Sequence, residues 1–155
     1  MILKNKGKDN YLNWRRVMNK KAIITVDSAV LNEEEDLISV VTPGDFYEIE
    51  DGFKVEYDET KLSGMEGTKT TIIIRKNSFD LIREGTTEAK MEFENNKMAV
   101  SLYKTPFGVL DIKIDTRKLN IDITKDGGTI NTMYILEIGG QPALKTNLTI
   151  NIKVN

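Results

Sequence analysis

Apolar and polar residues alternate with a period of two through most of the chain after Lys21. Leu110, Ile112 and Ile114, for example, are separated by charged residues, and residues 144–154 repeat this pattern. Such alternation is typical of β-strands that bury one face. Because no stretch in this region shows a clear helical period, the pattern predicts an all-β fold.

Short turn sequences separate the alternating segments and indicate how many strands there are. They include Pro43-Gly44, Asp51-Gly52, Lys76-Asn77, Asn95-Asn96, Asp126-Gly127 and Gly139-Gly140. Their spacing predicts about ten strands, as in a β-sandwich or a β-barrel. Long strands joined by short hairpins favour an antiparallel up-and-down β-barrel of about eight to ten strands, which closes on itself and leaves no free edge.

Two turns predict which residues face each other across neighbouring strands. The Asn-Asn turn, taken as a two-residue hairpin loop, places Phe93 opposite Met98. The following turn, taken as a three-residue loop with a bulge, places Leu102 opposite Ile112, whereas a two-residue loop would place Leu102 opposite Asp111. Because the bulged register keeps one face apolar, we expect all four apolar side chains to face a common interior.

Composition narrows the chemistry that the chain can perform. Its 155 residues indicate one domain, and they include no Cys and no His, which excludes disulfides, thiol nucleophiles and a Ser-His-Asp triad. The 22 basic and 24 acidic residues give a net charge of −2, which disfavours a nucleic-acid partner. No segment is long and apolar enough to span a membrane as a helix, so we expect no membrane partner. We expect a cytoplasmic protein with no metal site, no cofactor and no catalytic residue.

The first 17 residues are predicted to be an N-terminal extension to a single barrel domain at 18–155. The codons for Trp14-Arg15-Arg16 can form a bacterial ribosome-binding site just before Met18. We therefore expect natural translation to start at Met18. The alternative is a short amphipathic helical arm that packs on the barrel.

Five short sequences resemble, in order and spacing, those of a known group of small bacterial proteins. They are Tyr57-Asp58-Glu59-Thr60, Gly67-Thr68-Lys69-Thr70, Arg83-Glu84-Gly85, Tyr103-Lys104-Thr105-Pro106-Phe107-Gly108 and Gly127-Gly128. Together they are similar to the YwiB-like family of uncharacterised proteins, and the resemblance covers roughly residues 20–154. It implies a calycin-like, or lipocalin-like, β-barrel in a bacterial cytoplasmic protein, and it implies no catalytic residue.

Three polar residues are predicted to meet at one rim of the barrel. Alternation from Phe53 onward places Tyr57 and Glu59 on the apolar, inward face of their strand. A two-residue turn at Lys76-Asn77 places Thr70 opposite Arg83 on the next two strands. Since adjacent strands lie about 4.8 Å apart, Glu59 and Arg83 come within reach of each other.

This rim has two interpretations. Glu59 and Arg83 either form an ion pair that closes the barrel end, or Arg83 anchors the carboxylate or phosphate of a small ligand, with Thr70 between them. Tyr134 shares a face with apolar neighbours and would add a polar group to the same cavity. Tyr57 and Tyr134 could equally be core residues whose hydroxyls are hydrogen-bonded.

Three classes of function remain open. The first is a non-enzymatic barrel that binds a small anionic or amphipathic ligand near Arg83, because closed barrels of this size commonly hold one small molecule. The second is an interaction or structural protein, in which outward Phe107, Tyr103 or Ile135 forms a partner or homodimer surface. The third is an enzyme without His or Cys chemistry, which requires titratable groups that converge on a cleft.

Two loops carry no recognisable chemistry. Residues 33–36 are four acidic side chains whose spacing matches no calcium-binding loop, so we expect a solvated hairpin turn. Residues 64–67 begin and end with glycine but lack the Gly-Lys-Ser/Thr ending of a phosphate-binding loop. We expect this second loop to lie at the barrel mouth.

Overall fold

A computed structural model of the protein describes residues 19–31 and 37–155. They form ten strands: β1 Lys20–Val30, β2 Leu37–Ile49, β3 Gly52–Asp58, β4 Thr68–Ile74, β5 Ser78–Gly85, β6 Ala89–Glu94, β7 Met98–Thr105, β8 Gly108–Thr124, β9 Gly127–Ile138 and β10 Leu144–Val154. The predicted extension at 1–17 and the acidic turn at 33–36 lie outside the described residues. Within them the helical structure is a single 3-10 turn, Lys61–Ser63, so no described helix could cross a membrane.

All ten strands belong to one antiparallel sheet. Each strand pairs with its neighbours in the chain, except that β6 and β7 lie at the two ends of the sheet and that β1 pairs with β10. The chain therefore runs up and down around a barrel, and pairing of the first strand with the last joins its two halves. This arrangement confirms the predicted all-β, antiparallel, up-and-down barrel.

The barrel is not fully closed, because β6 and β7 meet only at their ends. At one end, Glu88 and Lys104 form an isolated antiparallel bridge with backbone hydrogen bonds of 2.9 Å in both directions. At the other end, the backbone of Thr116 in β8 bonds to Asn96 and Lys97 in the turn, at 2.9 and 3.0 Å. A seam between β6 and β7 thus replaces the continuous wall that the sequence predicts.

The predicted pairing of Phe93 with Met98 is wrong. The two-residue turn between β6 and β7 does form, since the Lys97 backbone N–H donates to the carbonyl of Glu94 at 3.0 Å. Beyond the turn, however, β6 pairs with β5 and β7 pairs with β8. Phe93 is buried inside the barrel, whereas the Met98 side chain lies on the outer surface and is 58% exposed.

The predicted register of β7 against β8 is also wrong by one residue. Leu102 lies opposite Asp111 and not Ile112, so the turn has two residues and no bulge. The hydroxyl of Thr105 accepts a hydrogen bond from the Phe107 backbone N–H at 3.1 Å, which stabilises the tighter turn. As a result Leu102 lies outside, and the interior face of β7 carries smaller or more polar side chains.

The inward faces of the strands form one apolar core. Phe79 and Phe93 stack with ring centroids 4.4 Å apart, and Phe93 meets the edge of Tyr134 at 5.1 Å. The inward rows predicted for β8 and β10 are confirmed, with Ile112 and Ile150 among the buried residues. The core fills one end of the barrel, so the other end is free to hold a cavity.

Candidate functional site

A cavity of about 350 Å³ occupies the barrel interior beside the aromatic core. Its wall is mostly apolar and is built from inward-facing residues of strands in both halves of the barrel. They include Val26, Val40, Leu81, Ile112, Leu136 and Leu148. Its volume lies at the lower end of the range for small-molecule sites, and its lining resembles theirs.

The predicted polar row forms at one end of this cavity. Tyr57 on β3 pairs with Thr70 on β4, and Thr70 pairs with Arg83 on β5. Glu59 follows β3 directly, and its backbone N–H donates to the carbonyl of Thr68 at 2.8 Å, which keeps it in line with the strand. Sequence alternation and one turn thus sufficed to place all four residues together.

Glu59 is the most deeply buried charged group of the row. Its side chain is 3% exposed, and one carboxylate oxygen, Oε2, accepts a hydrogen bond from the hydroxyl of Thr70. Burial of a carboxylate is costly unless charge and hydrogen bonds compensate it. Thr70 supplies one such bond, and Arg83 supplies the compensating charge.

Arg83 lies near Glu59 but does not bond to it fully. Its Nε is 3.9 Å from Oε2 of Glu59, a distance that gives electrostatic attraction but exceeds a hydrogen bond. That Nε is buried without a hydrogen-bond partner, and the Nη1 contact is a weak one to the sulfur of Met91 at 3.7 Å. The guanidinium therefore retains donors that a guest in the cavity can use.

Two tyrosines complete the polar end. Burial raises the pKa of Tyr57 well above its usual range, and the nearby charge of Glu59 raises it further. Burial also raises the pKa of Tyr134 to about 12, although the Arg83 charge acts in the opposite direction. Both phenols therefore stay neutral well above physiological pH, and both line the cavity. Tyr134 combines this position with its core contact to Phe93.

Tyr103, Met65 and Met91 also line the cavity, although they were not among the predicted site residues. Tyr103 was expected to point outward, but its hydroxyl lies 3.6 Å from the sulfur of Met65, in the loop at the cavity mouth. The wrong register of β7 caused this error, because a shift of one residue exchanges the two faces of a strand. The two-residue loop that forms places Tyr103 inside. By contrast, the expected outward position of Phe107 is confirmed, since it is 99% exposed.

The polar end of the cavity offers hydrogen-bonding groups and few groups that could act in catalysis. It combines one carboxylate, one guanidinium and neutral hydroxyl groups around an apolar space. Across residues 19–31 and 37–155, no three acidic, His or Cys side chains come together as metal ligands would. The arrangement suits a guest that places a polar group on Arg83 and apolar atoms along the wall.

Known proteins with related sequences share this architecture. The chain is 23% identical over 116 residues to the uncharacterised β-barrel protein YwiB of Bacillus subtilis strain 168. The aligned region covers 75% of this chain and 80% of that protein. The crystal structure of the B. subtilis protein superposes with a TM-score of 0.76 at 21% identity, over 89% of this chain and 94% of that one. This likeness confirms the barrel fold.

The predicted family resemblance is confirmed by a match over most of the chain. Residues 24–150 match the family described as a domain of unknown function, DUF1934. The match includes every strand from β2 to β9 and the whole polar row. The protein therefore belongs to the DUF1934 family.

Proposed function

We propose that the protein binds one small amphipathic molecule inside the barrel, with its polar end at Arg83 and its apolar part along the cavity wall. One observation carries this proposal: a mostly apolar cavity of about 350 Å³ ends at the guanidinium of Arg83, whose hydrogen bonding to the described residues is limited to a weak contact from Nη1 to the sulfur of Met91 at 3.7 Å. A guest that accepts from this guanidinium would supply a charge-assisted hydrogen bond that the protein itself does not.

The geometry of the Glu59–Arg83 pair supports this function over a purely structural ion pair. If Arg83 served only to close the barrel end, close contact with Glu59 would be expected, yet the two groups are 3.9 Å apart and border open space. As part of this proposal, the protein is a calycin-like binding protein of the cytoplasm. We propose no catalytic role for Glu59 or Arg83, because each neutralises the charge of the other.

A pair of adjacent substitutions tests the proposal. Val40 lines the cavity, whereas Val41, the next residue, points outward and is 62% exposed. Octanamide is titrated into the protein by isothermal calorimetry. We expect Val40→Phe to fill part of the cavity and weaken binding at least about tenfold, and Val41→Phe to leave it unchanged. Absence of binding to the unmodified protein, or equal loss in both variants, would overturn the proposal.

Native mass spectrometry of protein from its own host supplies an independent test. A molecule retained in the cavity adds a discrete mass to the chain, and Val40→Phe should reduce the retained fraction. Circular dichroism of both valine variants controls for folding. An added mass that persists unchanged in Val40→Phe would place the molecule elsewhere on the protein.

The outer face of β7 favours a second function, self-association. Met98, Val100 and Leu102 alternate along β7, and Val100 is 71% exposed. These three side chains are uncharged, and the residues opposite them on β8 alternate in charge: Asp115, Lys113 and Asp111. Such a face can meet its own copy across a two-fold axis, where an interface must be self-complementary. We propose a homodimer through this row. Analytical ultracentrifugation should show that Val100→Lys abolishes the dimer and Val41→Lys does not; a monomer at all concentrations excludes it.

A further inference from the structure

The charges at the polar end of the cavity sum to zero. Of the residues that line the cavity, Glu59 and Arg83 carry the formal charges, and the tyrosines are neutral. The remaining polar lining groups are serine hydroxyls and thioether sulfurs. A guest in this cavity therefore meets a positive and a negative group side by side, with no excess of either.

This balance limits the charge that a guest can carry. An anion that bonds to Arg83 would leave the site with a net charge of −1, because Glu59 stays buried and is held by Thr70. A charge without compensation in a largely apolar cavity is strongly disfavoured. A cation that bonds to Glu59 has the opposite problem and leaves Arg83 uncompensated. Both ions are disfavoured for the same electrostatic reason.

An uncharged group with a donor next to an acceptor fits the pair without this cost. The oxygen of a primary amide can accept from the free guanidinium N–H groups of Arg83, and its nitrogen can donate to the Glu59 carboxylate. The Oε2–Nε separation of 3.9 Å leaves both groups incompletely bonded to each other, so each can take part. The amide then satisfies donor and acceptor together.

We infer that Glu59 determines the charge preference of the cavity and selects ligands whose polar end is uncharged, of the amide type. This inference rests on the proposed function. It refines the sequence-based expectation of an anionic or amphipathic ligand, because it favours the amphipathic, uncharged class. It makes Glu59 a specificity-determining residue and Arg83 one of two polar contacts.

Three probes with the same apolar chain test the inference: octanamide, octanoate and octylammonium. Calorimetric titration at neutral pH should show that octanamide binds the unmodified protein at least about tenfold more tightly than either ion. Glu59→Gln leaves the Arg83 charge uncompensated, so octanoate should become the tightest ligand. Glu56→Gln is the matched control, since Glu56 lies on the outer face of β3 and bonds to lysines there. It should leave the ranking unchanged.

The outcomes separate the inference from the proposed function. If octanoate or octylammonium binds the unmodified protein more tightly than octanamide, the cavity binds ligands but the charge preference is wrong. If none of the three probes binds, the proposed function fails and the inference fails with it. The ranking on the unmodified protein tests the charge preference itself, even if Glu59→Gln does not fold. If that variant folds and still prefers octanamide, Glu59 is not the determinant.

Discussion

Phe93 of β6 and Tyr134 of β9 meet edge to face inside the barrel, with ring centroids 5.1 Å apart and planes inclined by 73°. β6 lies at one end of the sheet and β9 near the other, so this contact spans the seam that backbone hydrogen bonds leave open. Side-chain packing thus holds together the part of the barrel where the strand ladder is incomplete.

Phe93→Ala should therefore destabilise the protein strongly. The substitution removes the stack on Phe79 as well as the contact with Tyr134, and it leaves a cavity in the core. Such truncations cost about 3–5 kcal/mol in the free energy of unfolding. Urea denaturation measures this loss, and Phe107→Ala is the control, because Phe107 is almost fully exposed and should change stability by less than about 0.5 kcal/mol. Similar losses in both variants would contradict the role given to Phe93.

Thr70→Val should destabilise the protein by removing the hydrogen bond that the Thr70 hydroxyl donates to the Glu59 carboxylate. Valine has nearly the same shape as threonine, so the change isolates the lost bond. An unsatisfied buried polar group costs about 1–3 kcal/mol, and a charged one costs more. Thr71→Val is the matched control, since Thr71 is the next residue on β4 and faces away from the cavity. Equal denaturation midpoints for the two variants would show that the bond does not contribute.

The sequence predicted the polar row correctly because two independent signals agreed. Strict alternation oriented Tyr57 and Glu59, and an unambiguous two-residue turn fixed the register of Thr70 against Arg83. Each signal depends only on local geometry. The cavity beside the row was not predictable in the same way, because its volume depends on how side chains from distant strands fill the interior.

The failure in β7 has a physical cause. Both faces of this strand are uncharged over most of its length, and hydrophobicity alone assigned the larger residues Met98 and Leu102 to the interior. The inward position opposite Ile114 is in fact taken by the small side chain of Ala99. Phe93 and Tyr134 fill the core nearby, so the available volume favours a small side chain at this inward position of β7. The alternation of apolar and polar residues carries no information about that volume.

Gly128→Ala should cost more stability than Gly108→Ala, although the two glycines have similar backbone angles, with φ of 146° and 142°. Both substitutions place alanine in a conformation that L residues disfavour. A Cβ at Gly128 would also lie 2.0 Å from the carbonyl oxygen of Asp122, whereas one at Gly108 would meet no atom within 4 Å. We expect an additional loss of about 1–3 kcal/mol at Gly128, measured as a difference in thermal or urea stability. Equal losses would mean that the β8–β9 pairing adapts to the clash.

Alkaline pH should destabilise the protein partly through Tyr134. Burial raises the pKa of Tyr134 from its ordinary value of 10.0 to about 12, so the folded protein holds the phenol proton more tightly than the unfolded chain does. The stabilising contribution is complete below about pH 10 and is lost as the pH rises toward 12. At pH 11 the loss amounts to about 1–2 kcal/mol.

Tyr134→Phe removes this titration and keeps the ring that packs on Phe93. The free energy of unfolding, measured in urea at pH 9 and pH 11, should therefore fall less in Tyr134→Phe than in the unmodified protein. Tyr47→Phe is an instructive comparison, because burial and the neighbouring Glu56 also raise the pKa of Tyr47 to about 12, but Tyr47 is only partly buried, on the outer side of β2. Solvent screening weakens its effect. If stability falls equally in the unmodified protein and in Tyr134→Phe, the barrel interior does not hold the phenol neutral. The assignment of Tyr134 to the polar end of the cavity would then need revision.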